Sequence, residues 1–178
     1  MCGSAATWTE RIAPLDGGGA IRRQRALAAL LARAPSPRLR RVKAAPWPGG
    51  GWRLAAPDGL RFARSLDEAV ATMTGRYGPL VAAEPGDAST TARLPDDASG
   101  HALAVWAAAL RHAGFSATIT TARFTLTVTP SDVHVVPCGS GPPPETACVA
   151  ATAGARSLAG WLEVAAGLRG RRTGPGTR

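Results

Sequence analysis

Residues 52–68 read Trp-Arg-Leu-Ala-Ala-Pro-Asp-Gly-Leu-Arg-Phe-Ala-Arg-Ser-Leu-Asp-Glu, and they hold two strands, a turn and a helix start in succession. Trp52 to Ala56 and Leu60 to Arg64 flank Pro57-Asp58-Gly59, a strong hairpin signal. Alternation sends Trp52, Leu54, Leu60 and Phe62 to one face of the hairpin and leaves Arg53 and Arg61 on the other. Ser65, with Glu68 three residues on, is a capping box that opens a helix through Gly75.

Upstream of the hairpin, Ile21 to Ala34 is rich in Ala, Leu and Arg and predicts a helix ended by Pro35 and Pro37. Leu27, Leu30 and Leu31 share one face of it, and Arg22, Arg25 and Arg33 gather on the opposite one. Leu39 to Ala45 predicts a strand, followed by a Pro46-Trp47-Pro48 and Gly49-Gly50-Gly51 loop. Residues 1–19, ending in Gly17-Gly18-Gly19, read as a mobile lead-in.

Downstream, residues 79–99 are rich in Pro, Gly, Ser and Asp and read as a linker, with Leu80 to Ala83 as a short strand inside it. His101 to Ala113 predicts a helix with Leu103, Trp106 and Leu110 on its buried stripe and Gly114 as C-terminal cap. Phe115 to Thr121, Phe124 to Thr129 and Val133 to Val136 predict a three-stranded meander. Phe115, Ile119, Phe124, Leu126, Val128, Val133 and Val135 face inward in it; Thr118, Thr120, Thr125, Thr127 and Thr129 face out. A last helix is expected over Glu145 to Leu168, before a basic, Gly-rich tail.

The fold class expected is therefore α+β: two small subdomains, each a three-stranded antiparallel sheet packed with helices, in a helix–strand–strand–strand–helix layout used twice. The boundaries are 1–19 for the flexible segment, 20–78 for a basic subdomain, 79–99 for the linker, 100–168 for the second subdomain and 169–178 for a disordered tail. No sequence identity between the halves accompanies the shared layout.

Charge is distributed unevenly over this plan. Residues 17–57 carry Arg22, Arg23, Arg25, Arg33, Arg38, Arg40, Arg41, Lys43 and Arg53 and no acidic residue, which equals the formal +9 of the whole 178-residue chain. Residues 58–168 hold seven Arg against ten acidic residues, a net −3. The use of 20 Arg to one Lys, with abundant Ala, Gly and Pro, fits the codon bias of a GC-rich genome. That bias does not remove Asp and Glu from one stretch. Such a field attracts polyanions, nucleic acid first among them, and the planar fork of Arg suits phosphate. The expected contacts are Arg22, Arg25, Arg33, Arg38, Arg40, Arg41, Lys43, Arg53 and Arg61, with Trp47 as a ring that stacks on a base.

Other chemistries find little support. The chain lacks a Gly-x-Ser-x-Gly elbow, a phosphate loop ending in Gly-Lys-Ser/Thr and a His-Glu-x-x-His pair, so neither an enzyme nor a cofactor is expected. His134, Cys138 and Cys148 lack a fourth metal ligand, and no metal is expected. Asp96-Asp97 before Ser99 reads as a helix cap, and Cys148 as an inert thiol. Of the five tryptophans, Trp52, Trp106 and Trp161 fall on apolar faces, while Trp8 and Trp47 lie in loops.

Three cysteines without a framework spacing, and an N-terminus without a secretory pattern, point to a reduced, cytoplasmic setting. Thr146 to Leu168 is long enough to span a bilayer. Arg156 and Glu163 inside it each oppose insertion by roughly 2.5–3.5 kcal/mol, which favours a packed helix.

The layout of helix, three strands and helix is similar to that of double-stranded RNA-binding domains. That family carries a Lys-rich cluster at the start of its second helix, where this chain has Leu66, Asp67 and Glu68 in the first half and Thr146, Ala147 and Cys148 in the second. The resemblance is one of topology alone. The expected function is that of a non-enzymatic nucleic-acid-binding accessory protein of low sequence specificity, with duplex DNA ahead of RNA. The alternatives are an assembly module that self-associates through the Thr-rich sheet, and an accessory protein of a mobile element held peripherally at a membrane by the last helix and Arg-rich tail.

Overall fold

The computed structural model describes residues 7–48, 50–81, 90–93, 100–121, 123–137 and 148–151. The elements are α1 (Trp8–Ile12), α2 (Gly19–Leu31), β1 (Lys43–Pro46), β2 (Trp52–Ala56), β3 (Gly59–Ala63), α3 (Leu66–Tyr77), β4 (Thr90–Arg93), α4 (Gly100–His112), β5 (Ala117–Thr120), β6 (Phe124–Val128), β7 (Val133–Pro137) and β8 (Cys148–Ala151). They form an α+β fold with two antiparallel sheets, as the sequence predicts. One sheet has the order β1-β2-β3 and the other β4-β8-β5-β6-β7.

The first half follows the expected layout, with α2 and α3 packed on one face of the first sheet. Trp52, Leu54, Ala44 and Ala63 form that inner face and are buried with Leu27, Leu30 and Leu31 of α2 and Leu66, Val70 and Met73 of α3. The cap of α3 forms as its sequence requires. The Ser65 hydroxyl accepts from the Glu68 amide at 3.1 Å, and the Glu68 carboxylate accepts from the Arg64 amide at 2.8 Å.

The central element is α4. Every residue from His101 to Leu110 is buried, well beyond the expected stripe of Leu103, Trp106 and Leu110. It packs against α1, α2, α3 and β6, and the buried side chains of both halves form one cluster. A helix apolar on all sides belongs inside a protein. Gly114, at φ +83, ends it, and the Phe115 amide reaches back to the Leu110 carbonyl at 3.0 Å.

Arg111 and Asp67 pin the helices together. Arg111 Nη1 donates to Asp67 Oδ2 at 2.9 Å, and its Nη2 donates to the Ser131 carbonyl in the β6–β7 turn. Burial alone would raise the Asp67 carboxyl. The adjacent His112 imidazole, 3.2 Å away, and the Arg111 guanidinium outweigh it and hold that carboxyl below its ordinary value.

Several expectations are corrected. Residues 8–12 are helical, with Ile12 and Ala13 buried, so this part of the lead-in, Trp8 included, is a packed element. Its anchor is Arg23, which is 2% exposed and donates to the Thr9 and Ala13 carbonyls. Leu39–Arg41 is a single 3-10 turn, and the strand after it starts only at Lys43, because buried Leu39 and Val42 hold the backbone in a turn. Leu80 and Val81 are a bend, while residues 82–83 of that expected strand lie outside the described residues.

The expected last helix meets a different fate at Cys148–Ala151, which is a strand paired to β5, with Thr120 opposite Cys148 and Ala117 opposite Ala151. The open backbone edge of β5 outcompetes the helical preference of Ala there, since unpaired amides and carbonyls need partners. Thr90–Arg93, inside the expected linker, adds to the outer edge of β8. The rest of 145–168, with Trp161, Cys138, Asp96-Asp97 and the 169–178 tail, lies outside the described residues.

His101, at the start of α4, makes stability depend on pH. Burial, with the charges of Arg23 and Arg22, holds its pKa below the ordinary value, against a smaller opposing pull from Asp16. In the window below the unfolded value near 6.5 the unfolded chain binds a proton that the folded chain refuses. His101 therefore contributes stability that is present above about pH 6.5 and lost as pH falls. In urea titrations at about pH 8 and pH 5.5, the parent should lose more stability on acidification than His101→Asn. Parallel losses in the two proteins would refute this assignment.

Candidate nucleic-acid interface

The turn between β2 and β3 decides what the first sheet shows to solvent. Ala56 pairs with Gly59, so the loop is the two residues Pro57 and Asp58, one shorter than the three-residue turn the sequence suggests. Pro57 presets the first turn position, and Gly59, at φ +125, takes a conformation open to glycine. The pairs are then Ala55 with Leu60, Arg53 with Phe62, Leu54 with Arg61 and Trp52 with Ala63. A shift of one residue turns the whole second strand over.

Two expectations fall with that shift. Leu60 and Phe62 do not join Trp52 and Leu54 on the buried face; they are 56% and 55% exposed on the outer one. Arg53 and Arg61 do not share a side either. Arg53 is on the outer face, whereas Arg61 lies on the inner side and turns to Asp58 at 3.1 Å. The small side chain of Ala63 sits where α3 crosses β3.

The outer face consequently has two cross-strand rows. Lys43, Ala55 and Leu60 form the row nearer the β2–β3 turn, and Ala45, Arg53 and Phe62 the next. Trp47 folds back over this face from the β1–β2 loop. Its ring meets Phe62 edge to face, with centroids 5.0 Å apart, and the Arg53 guanidinium lies 6.0 Å from the Trp47 centroid. Gly51 makes this return possible. It is at φ +86, and a Cβ there would meet the Ala63 carbonyl oxygen at 2.3 Å. Its own carbonyl accepts from the Trp47 amide at 3.0 Å.

At the turn end of the same sheet is a cleft of about 540 Å³, lined by Arg38, Arg41, Pro57, Asp58, Gly75, Arg76 and Tyr77. Asp58 is the only carboxylate among the described residues that line it, and it is fully engaged. It accepts from the Tyr77 hydroxyl, from Arg76 Nη2 at 2.9 Å and Nε at 3.1 Å, and from Arg61. The Tyr77 hydrogen bond, then Arg76 and Arg61, hold its carboxyl well below the usual carboxylate range. Asp58 in turn raises the pKa of Arg76. Three arginines beyond the one needed to balance Asp58 leave this end of the sheet strongly positive.

Eight of the nine cations of residues 17–57 are exposed, and Arg23 alone is buried. The sheet gathers Arg38, Arg41, Lys43, Arg53 and Trp47 on adjoining surfaces. Arg22 and Arg25 share the solvent side of α2, but α2 covers the inner face of the sheet, so they point away from Arg53. The helix ends at Leu31, short of the expected Ala34, and leaves Arg33 in the turn beyond it rather than on their face. Arg40 Nη1 donates to the Ala34 carbonyl at 3.1 Å, and Arg22 Nη1 to the Gly17 carbonyl at 2.9 Å. Phe62, Leu60, Arg76 and Tyr77 were not foreseen as site residues. The two registers compatible with Pro57-Asp58-Gly59 were the signal that could have exposed the first two.

Among the described residues no group of three or more His, Cys, Asp or Glu is placed to hold a metal ion, and His134 pairs with Asp132 at 3.0 Å on the surface. No helix of the described residues is long and apolar enough to cross a membrane. Comparison with protein-family models, with curated proteins and with solved structures finds no match to this chain.

Asp58→Asn tests the clamp. Asn keeps a turn-compatible side chain and removes the charge on which Arg61, Arg76 and Tyr77 converge. The variant should melt at a lower temperature and exchange the amides of β3 faster than the parent. The parent should lose this advantage progressively as pH falls below about 3.9, because a carboxyl with a depressed folded pKa stabilises fully above its unfolded value and ceases to do so as pH falls through the folded one. An unchanged melting temperature, with unchanged exchange, would remove Asp58 from this role.

Proposed function

We propose that the protein is a non-enzymatic nucleic-acid-binding accessory protein whose arginines neutralise backbone phosphates, with duplex DNA as the first ligand to test. The observation that carries this reading is that Arg38 and Arg41 line a cleft at the turn end of the first sheet, where the one carboxylate among the described lining residues is engaged by three donors, while Lys43 and Arg53 stand on the outer face of the same sheet. Arg keeps its charge at any working pH and offers paired donors to phosphate. Several contacts made together release counterions, so affinity falls steeply with salt.

The geometry ranks the cations. Arg38 and Arg41 line the cleft at the turn end of the sheet and Lys43 stands on the outer-face row nearest that turn, while Arg22 and Arg25 stand on the far side of α2. In electrophoretic shift assays with a short duplex at about 50 and about 200 mM salt, binding should be strong at the lower concentration and much weaker at the higher. Replacing Arg38, Arg41 and Lys43 with Ala together should lower the salt slope by about one unit for each contact removed. The Arg22→Ala, Arg25→Ala pair should lower it less. Absence of salt-sensitive binding at low ionic strength would sink the proposal.

A further inference from the structure

Among the described residues six large apolar side chains stand exposed, and the outer face of the first sheet carries three of them, Trp47, Leu60 and Phe62. They are contiguous with Lys43 and Arg53, and no acidic residue shares the two rows. We infer that this face is a stacking platform for unpaired bases, so that the preferred ligand is a nucleic acid with a single-stranded stretch. This deepens the proposed nucleic-acid reading and rests on it.

The chemistry is complementary in two ways. Bases present flat π faces, and half-exposed Trp and Phe rings offer matching ones without reading sequence. Trp47 and Phe62 hold each other edge to face, so each is fixed before a ligand arrives, which lowers the ordering cost of binding. Arg53 lies against Trp47 and can meet a phosphate or stack beside a base. Leu60 and Phe62 are two residues apart on β3, about 6.8 Å along the strand, which makes room for more than one base. Lys43 continues the charge toward Arg38 and Arg41 at the turn end.

Charge also argues against a second copy of the chain as the occupant. A two-fold contact through this face would bring Lys43 and Arg53 of one copy against those of the other, with no carboxylate in either row to offset them. The Thr-bearing face of the second sheet supplies no acidic row to complement it.

The test uses the full chain and two fluorescently labelled probes, an oligothymidine and a blunt duplex of equal length. Anisotropy titrations should show tighter binding to the oligothymidine. Trp47→Ala and Phe62→Ala should each weaken it about tenfold, with less than about a twofold change for the duplex, and Trp47→Phe should restore most of the loss. Tryptophan fluorescence should be quenched by the oligothymidine in the parent and much less in Trp47→Phe. Melting curves equal to that of the parent keep the comparison free of folding effects. If both probes bind in a salt-sensitive manner but the ring variants bind oligothymidine like the parent, the platform is refuted and the nucleic-acid reading stands. If neither probe binds at low salt, the nucleic-acid reading falls first. Self-association that the ring variants abolish, with no oligothymidine binding, would assign this face to a second copy.

Discussion

The Asp58 carboxylate ties the β2–β3 turn to the last residues of α3 through Arg76 and Tyr77, and to β3 through Arg61. Exposed ion pairs are weak one at a time. Here three side chains converge on one acceptor, and Arg76 grips it with two nitrogens, so the turn has little freedom to lengthen. Once Ala56 is held opposite Gly59, every pair of the hairpin follows. A slip of one residue would drive Phe62 and Leu60 into the space that α3 occupies and lift Ala63 out to solvent. The packing beneath the sheet and the chemistry above it therefore share one constraint.

The second constraint is the uniform burial of α4. Five of the ten residues from His101 to Leu110 are Ala, which individually remove little apolar area from water. Their value is closeness, because small side chains let neighbouring helices approach and multiply dispersion contacts. Glycines serve the same end where α1 meets its neighbours. A Cβ on Gly100 would meet the Ile12 carbonyl oxygen at 2.6 Å, and one on Gly19 the Pro14 carbonyl oxygen at 2.3 Å. A composition that looks like codon bias thus also builds the centre of the molecule.

Local signals were readable from the chain, and non-local ones were not. The capping box at Ser65, the Gly114 terminus and the alternation of Phe124, Leu126 and Val128 each depend on neighbours within a few residues, and each appears in the structure. The strands at 90–93 and 148–151 exist because β5 has an edge to fill, a property of a partner far away in sequence. The five-residue α1 is too short for periodicity to reveal and is held by Ile12, Ala13 and the buried Arg23. At the candidate site, Arg38, Arg41, Lys43, Trp47 and Arg53 stood out through composition. Phe62 and Leu60 did not, since their alternation fits a buried face as well as an exposed one until the turn length is known. Arg76 and Tyr77 looked like an ordinary helix end, and only the tertiary meeting with Asp58 gives them meaning.

The structure divides the arginines of the acid-free stretch by use, which bears on whether codon bias alone produced it. Arg22, Arg23 and Arg40 donate to main-chain carbonyls, a role that brings no need for a nearby carboxylate. Elsewhere in the chain Asp58 and Asp67 each meet a guanidinium, Asp132 faces the His134 imidazole, and Glu68 caps a helix, so these carboxylates stand where a side chain or the backbone calls for them. Arg38, Arg41, Lys43 and Arg53 belong to neither group. They are exposed, clustered about one sheet, and set beside aromatic rings that water solvates poorly. Codon bias selects Arg over Lys, but it neither excludes Asp and Glu nor aligns cations with exposed rings. Clustered like charge opposes compaction through self-repulsion, and exposed rings forgo burial. A bound strand of phosphates and bases would relieve both costs on the same face, and that shared relief is the physical reason to treat the charge and the rings as one site.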